Sequence, residues 1–136
     1  MASPAPSSLP ETCILLVEDH APNALVVGIF LEEFGYSYDV AENGLAALNR
    51  FQEKTYQVIL MDIDMPEING YEATAHIREI ENQTGRPRTC IIGMTAHALS
   101  DDRDKCLGAG MDDYIAKPFK PDELEEKLGK FCKSAA

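Results

Sequence analysis

The chain has 136 residues, 45% hydrophobic and 26% charged, a balance that suits one soluble domain and leaves little room for a second. Its 23 acidic residues outnumber 12 basic ones, and the net charge of -11 argues against nucleic acid as a direct ligand, because phosphate contacts need clustered Lys and Arg. Four cysteines, Cys13, Cys90, Cys106 and Cys132, are widely spaced without a C-x-x-C pair, which argues against a thiolate metal site and suits a reducing cytoplasm.

Residues 1–11 carry Ser, Pro and Ala with neither a basic nor an apolar region. They read as a flexible leader rather than a signal peptide, and the domain is placed over 12–134. Residues 13–17 are a buried strand ending in Glu18-Asp19. Pro22 suits the first turn of a helix whose inward face is Ala24, Val27, Gly28, Leu31 and Phe34, with Gly35 as its cap. Residues 36–41 form a second, more polar strand, which belongs at a sheet edge. Asn43 caps a helix with Leu45, Leu48 and Phe51 on one face.

Residues 58–61 are four apolar positions with no polar alternation, so both faces of this strand should be covered. The strand delivers Asp62. After a loop with Pro66 and Gly70, residues 71–80 form a helix with Ala73, Ile77 and Ile80 inward. A polar loop over 81–88 leads to a fourth strand over 89–94, which delivers Thr95. Ser100 caps a short helix to about Leu107, broken by Gly108 and Gly110. A fifth strand over 113–116 delivers Lys117-Pro118, and Pro121 opens a last helix with Leu124, Leu128 and Phe131 inward. No apolar run approaches the roughly 18 residues of a membrane span.

Five strands alternating with five helices imply an α/β fold, a parallel sheet wound on both faces by right-handed crossovers. Ligands of such sheets bind at the carboxyl edge of the strands. There Glu18, Asp19, Asp62, Thr95 and Lys117, far apart in sequence, converge. Crowded carboxylates need a neutralising partner, and Mg²⁺ (or Mn²⁺) takes one or two carboxylates together with a phosphate. Asp19 and Asp62 are the direct ligands on this reading, with a backbone carbonyl just past Asp62, that of Asp64, and with Glu18 acting through water. Asp62 is then a nucleophile toward phosphorus, and Thr95 and Lys117 serve the phosphoryl oxygens.

The motifs Leu16-Val17-Glu18-Asp19, Met61-Asp62-Ile63-Asp64-Met65-Pro66 with Gly70-Tyr71-Glu72, Met94-Thr95-Ala96 and Asp113-Tyr114-Ile115-Ala116-Lys117-Pro118-Phe119 resemble the receiver domain of two-component response regulators. Met94-Thr95-Ala96-His97-Ala98 and Met111-Asp112-Asp113-Tyr114 look most like receivers attached to hybrid histidine kinases. The resemblance implies a flavodoxin-like (βα)5 sandwich with strand order 2-1-3-4-5. It makes Asp62 the phosphoacceptor, Glu18 and Asp19 the metal pair, Thr95 the switch hydroxyl, Lys117 the phosphoryl contact and Tyr114 an aromatic switch. It also implies a cis bond before Pro118 and a readout face made of the fourth helix, fifth strand and fifth helix.

The implied partner is a histidine kinase or a histidine phosphotransfer protein. A weak phosphorylation-dependent dimer, no membrane contact and a cytoplasmic location go with it. Asp64 departs from the usual pattern; with His97 it is expected to set the lifetime of the phosphorylated form. The main alternative is a phosphatase of the haloacid dehalogenase type using Asp62 and Asp64 as a D-x-D pair. Against it, that motif normally opens its fold, whereas here it lies on the third strand. A non-catalytic flavodoxin-like binding module would need a phosphate-cradling loop where Glu18-Asp19-His20 stands.

Overall fold

The computed structural model describes residues 13–65, 67–96, 100–117 and 120–132. The leader, Pro66, the segment 97–99 with His97, and Pro118 with its peptide bond lie outside the described residues. The elements run β1 (Cys13–Val17), α1 (Ala21–Phe34), β2 (Ser37–Ala41), α2 (Gly44–Glu53), β3 (Val58–Asp62), α3 (Gly70–Thr84), β4 (Cys90–Thr95), α4 (Ser100–Ala109), β5 (Asp113–Ala116) and α5 (Pro121–Cys132). The five strands are parallel in the order β2-β1-β3-β4-β5, as the resemblance implies.

Side chains alternate across the sheet and build two apolar layers. Leu15, Val17, Ile59, Met61 and Ile91 face Ala47 and Phe51 of α2, Ala73 and Ile77 of α3 and Cys106 of α4. Ile14, Leu16, Val58, Leu60, Ile92, Met94 and Ile115 face Ala24, Val27 and Leu31 of α1 and Leu124 and Leu128 of α5. Every residue of β3 is buried, which explains its unbroken apolar run: a central parallel strand has no solvent side. Burying one such Leu or Ile is worth about 2 kcal/mol. β2 has a neighbour on one side only and tolerates the exposed Ser37 and Val40.

The helix ends follow local chemistry. Pro22 lies in the first turn of α1, and Gly35 closes that helix at φ 89°. Asn43 accepts the Ala46 N–H at 2.7 Å and caps α2. Asn69 and Glu72 form a reciprocal capping box at the start of α3.

Four expectations shift. Leu45 is 60% exposed; α2 buries Gly44, Ala47 and Phe51 instead, with Leu48 partly covered. The polar segment at 81–84 continues α3, because buried Glu81 pairs with Arg78 at 2.9 Å and accepts the Thr89 N–H at 2.7 Å. Thr89 therefore precedes β4, which runs one residue later than its apolar pattern suggests. Gly108 lies within α4, and Gly110, at φ 107°, follows its end.

Candidate functional site

The chain leaves β1 toward β2 on one side of the sheet and returns to β3 on the other. A crevice opens where that direction reverses, between the carboxyl ends of β1 and β3. Val17 stands beside Met61, Asp62 beside Met94 and Thr95 beside Ala116. The register therefore brings Glu18, Asp19, Asp62, Thr95 and Lys117 to one edge, as the sequence predicts.

Lys117 is the centre of the cluster. Its Nζ donates to Asp62 Oδ1 at 3.1 Å and to Glu18 Oε1 at 3.2 Å. Its backbone N–H donates to Thr95 O at 2.7 Å, which anchors the lysine to the end of β4. Glu18, Asp62 and Thr95 are buried, each at most 2% exposed, while Asp19 lies at the solvent rim. Glu18 Oε2 also accepts the His20 N–H at 3.3 Å.

Carboxylate oxygens of Glu18, Asp19 and Asp62 lie within 4.8 Å of one another. Three negative charges against one lysine leave the pocket negative, and the protonation equilibria show it. Burial pushes the Glu18 carboxyl up to about 7, with the neighbouring Asp62 adding to the rise. Asp19 is raised by the same two causes in the same order. For Asp62 burial also acts upward, but hydrogen bonds from Glu18 and Lys117 outweigh it and hold the carboxyl below its ordinary range. Lys117 moves up: burial opposes its charge, but Asp62 and Glu18 more than compensate. Within the group the carboxyl of Asp62 is shifted toward its anion and that of Glu18 toward its protonated form. An all-oxygen donor set with excess negative charge fits a hard divalent cation.

Gly70 admits the start of α3 to this edge. A Cβ there would lie 2.6 Å from Asp62 O and 2.7 Å from Ile63 Cα, so a side chain would push the helix off the end of β3. The sequence reading places Gly70 in the loop before this helix and in the receiver motif, without this close approach. The aromatic residue Tyr114 is half-buried, packed against the apolar layer that includes Cys106 and Met111, beside Gly93 in register.

Three features escape the sequence reading. Asp64 donates its N–H to Asp62 Oδ1 at 3.1 Å, and its own Oδ2 accepts the Ala96 N–H at 3.4 Å. Helix α1 leaves Leu25, Val26 and Ile29 exposed, at 65%, 49% and 46%. A groove of about 390 Å³ joins that helix to the site, lined by Asn23, Val26, Val27, Phe30, Ala96, Glu18 and Lys117. The α1 surface was signalled by a segment apolar on all sides, Ala24-Leu25-Val26-Val27 followed by Ile29, Phe30 and Leu31.

A family model for the response regulator receiver domain matches residues 14–129. A probable histidine kinase of Oryza sativa subsp. indica is 37% identical over 87% of this chain, which spans 15% of that protein. The virulence sensor protein BvgS of Bordetella bronchiseptica is 39% identical over 90% of the chain, and the chain spans 10% of it. The chain thus corresponds to a small part of these relatives. Among solved structures, the receiver domain of the sensor histidine kinase PA1611 from Pseudomonas aeruginosa PAO1, which has a magnesium ion coordinated in its active-site cleft, superposes with a TM-score of 0.79 and 41% identity; 90% of this chain and 98% of that chain are covered. The co-crystal structure of the Saccharomyces cerevisiae phosphotransfer protein Ypd1 with the receiver domain of Ssk1 gives a TM-score of 0.86 and 31% identity, covering 96% of this chain and 94% of that chain.

Proposed function

The chain belongs to the response regulator receiver domain family of two-component phosphorelays, and from that membership we propose that Asp62 is its phosphoacceptor. The observation that carries this reading is Lys117 Nζ, 3.1 Å from Asp62 Oδ1, at an edge shared with Glu18, Asp19 and Thr95. A carboxyl held below its ordinary range stays anionic and nucleophilic. An Asp62 oxygen attacks the phosphorus of a phosphohistidine, the P–N bond breaks, and the imidazole leaves after taking a proton. Lys117 and the Thr95 hydroxyl receive the phosphoryl oxygens and offset the charge that moves with them. The domain acts on itself and turns over no outside substrate.

Glu18, Asp19 and Asp62 are the side chains to hold Mg²⁺ or Mn²⁺, with the backbone carbonyl of Asp64. The ion supplies positive charge against the carboxylates and the incoming phosphoryl group. Thr95 then moves toward the phosphoryl group, the Tyr114 ring turns inward, and the face made of α4, β5 and α5 changes for partners or a weak dimer. Asp64 and His97 govern the lifetime of the phosphorylated form.

The donor is a histidine kinase or a histidine phosphotransfer protein, a helical bundle in the cytoplasm. Leu25, Val26 and Ile29, with the groove beside Phe30 and Ala96, provide an apolar docking face at the mouth of the site. Among the described residues no helix is long and apolar enough to cross a membrane.

Incubation with acetyl phosphate and Mg²⁺ tests the reading by intact mass. Wild type gains one phosphoryl group and Asp62→Asn gains none. Labelling that survives in the variant refutes the assignment. Turnover of a generic phosphomonoester would instead favour the phosphatase chemistry of an Asp62/Asp64 pair.

A further inference from the structure

Asp64 is bonded in two directions. Its N–H rests on Asp62 Oδ1, the reacting carboxylate, and its own carboxylate rests on the N–H of Ala96, the residue after Thr95. One exposed side chain therefore ties the end of β3 to the end of β4 across the mouth of the site. The strands below it are already joined there, Ile63 N–H to Met94 O at 3.0 Å, so among the described residues the Asp64 bond is the next rung toward solvent.

We propose that Asp64 is a positioning residue: its carboxylate occupies the Ala96 amide while Asp62 is free and surrenders it when Asp62 is phosphorylated. This rests on Asp62 being the phosphoacceptor. Like-charge repulsion drives the release: the phosphoryl group brings a charge of about -1.5 to -2 beside the Asp64 carboxylate, and like charges at this range repel. The carboxylate swings outward, and the Ala96 N–H becomes a donor to the incoming phosphoryl oxygens. In the unphosphorylated protein Asp64 thus stands in for an anion that has not yet arrived, and each phosphorylation must displace it.

Amide exchange followed by NMR tests this, first in metal-free protein and then with beryllofluoride and Mg²⁺. In metal-free wild type the Ala96 amide is protected; in Asp64→Ala it exchanges about two- to threefold faster, the ratio expected from one long, solvent-exposed hydrogen bond of 3.4 Å. Asp64→Asn, which keeps an acceptor oxygen, lies between. In the beryllofluoride-bound state with Mg²⁺, a stable stand-in for phosphoryl-Asp62, the Ala96 rates of all three proteins converge. Beryllofluoride affinity rises in both variants, more in Asp64→Ala than in Asp64→Asn. Equal exchange in the three metal-free proteins overturns the proposal. So does a difference that persists undiminished with beryllofluoride, or equal tightening in both variants, which assigns the effect to charge alone. Failure of the phosphoacceptor reading would appear separately, as an unlabelled wild type or a labelled Asp62→Asn.

Discussion

At the scale of single residues the site is an electrostatic problem solved by one lysine. Glu18 keeps its proton to about 7 against an ordinary 4.5, so between those values the folded protein binds more protons than the unfolded chain. Stability of the metal-free protein must then fall as pH rises through that window. Asp19 acts with the same sign, while Asp62, shifted down from 3.8, acts only at more acid pH. Urea unfolding from about pH 4.5 to 7 is expected to show the fall. Glu18→Gln, neutral at every pH, flattens most of it, and added Mg²⁺ reverses it near neutrality. Lys117 carries the opposite charge between two buried carboxylates. Lys117→Met is expected to cost about 3 kcal/mol in metal-free protein at pH 8, because removing one partner leaves the others buried and uncompensated. The loss should shrink at pH 5, where Glu18 can hold its proton, and the same measurement reads both.

At the scale of elements, two helices present the edge in different ways. α3 begins against the end of β3, where Gly70 permits close approach and the Asn69–Glu72 capping box fixes the start. Asn69→Ala is expected to cost about 1 kcal/mol in urea unfolding, the usual value of a lost cap. α1 faces two ways, burying Ala24, Val27 and Leu31 while exposing Leu25, Val26 and Ile29. Ile29→Asp places a charge in the apolar face and should slow transfer from a phosphohistidine donor about tenfold more than transfer from acetyl phosphate, in line with a central contact residue. Parallel rate measurements with both donors separate docking from chemistry. The strands were legible element by element, because parallel buried strands are written as unbroken apolar runs. Helix faces were less so: Leu45 has the right spacing for the core but lies on the exposed side of α2, which buries the smaller Gly44 and Ala47 together with Phe51.

At the scale of the molecule, the end of the sheet away from the site is locked by Arg78. Its guanidinium reaches Glu81, the carbonyls of Thr89 and Gly110, and Asp112, while Glu81 and Asp112 accept the N–H groups of Thr89 and Ile91. Arg88 adds a second guanidinium on Asp112. This network joins α3, the start of β4 and the turn before β5, so the amino ends of these strands are held firmly while the carboxyl ends remain available to the site. Arg78→Leu is expected to cost about 3 kcal/mol, because two carboxylates lose their shared cation; a lower thermal midpoint with labelling of Asp62 retained would show it.

The amino-acid sequence by itself determined the alternation of five strands and five helices, the buried run into Asp62, and the residue types at the four strand ends. Those features are local: apolar runs, caps and turn residues act over a few positions, and a parallel sheet sends every strand end to one edge. Only the tertiary structure decided which charges are shared, since Lys117 meets Glu18 across a separation of 99 residues. It also decided where α3 stops, because Glu81 finds its partners in Arg78 and in the backbone ahead of β4. The bond from Asp64 to Ala96 belongs to the same class. A side chain two residues past the reacting carboxylate is visible in the sequence, but the amide it holds is supplied by a different strand, and packing alone brings the two together.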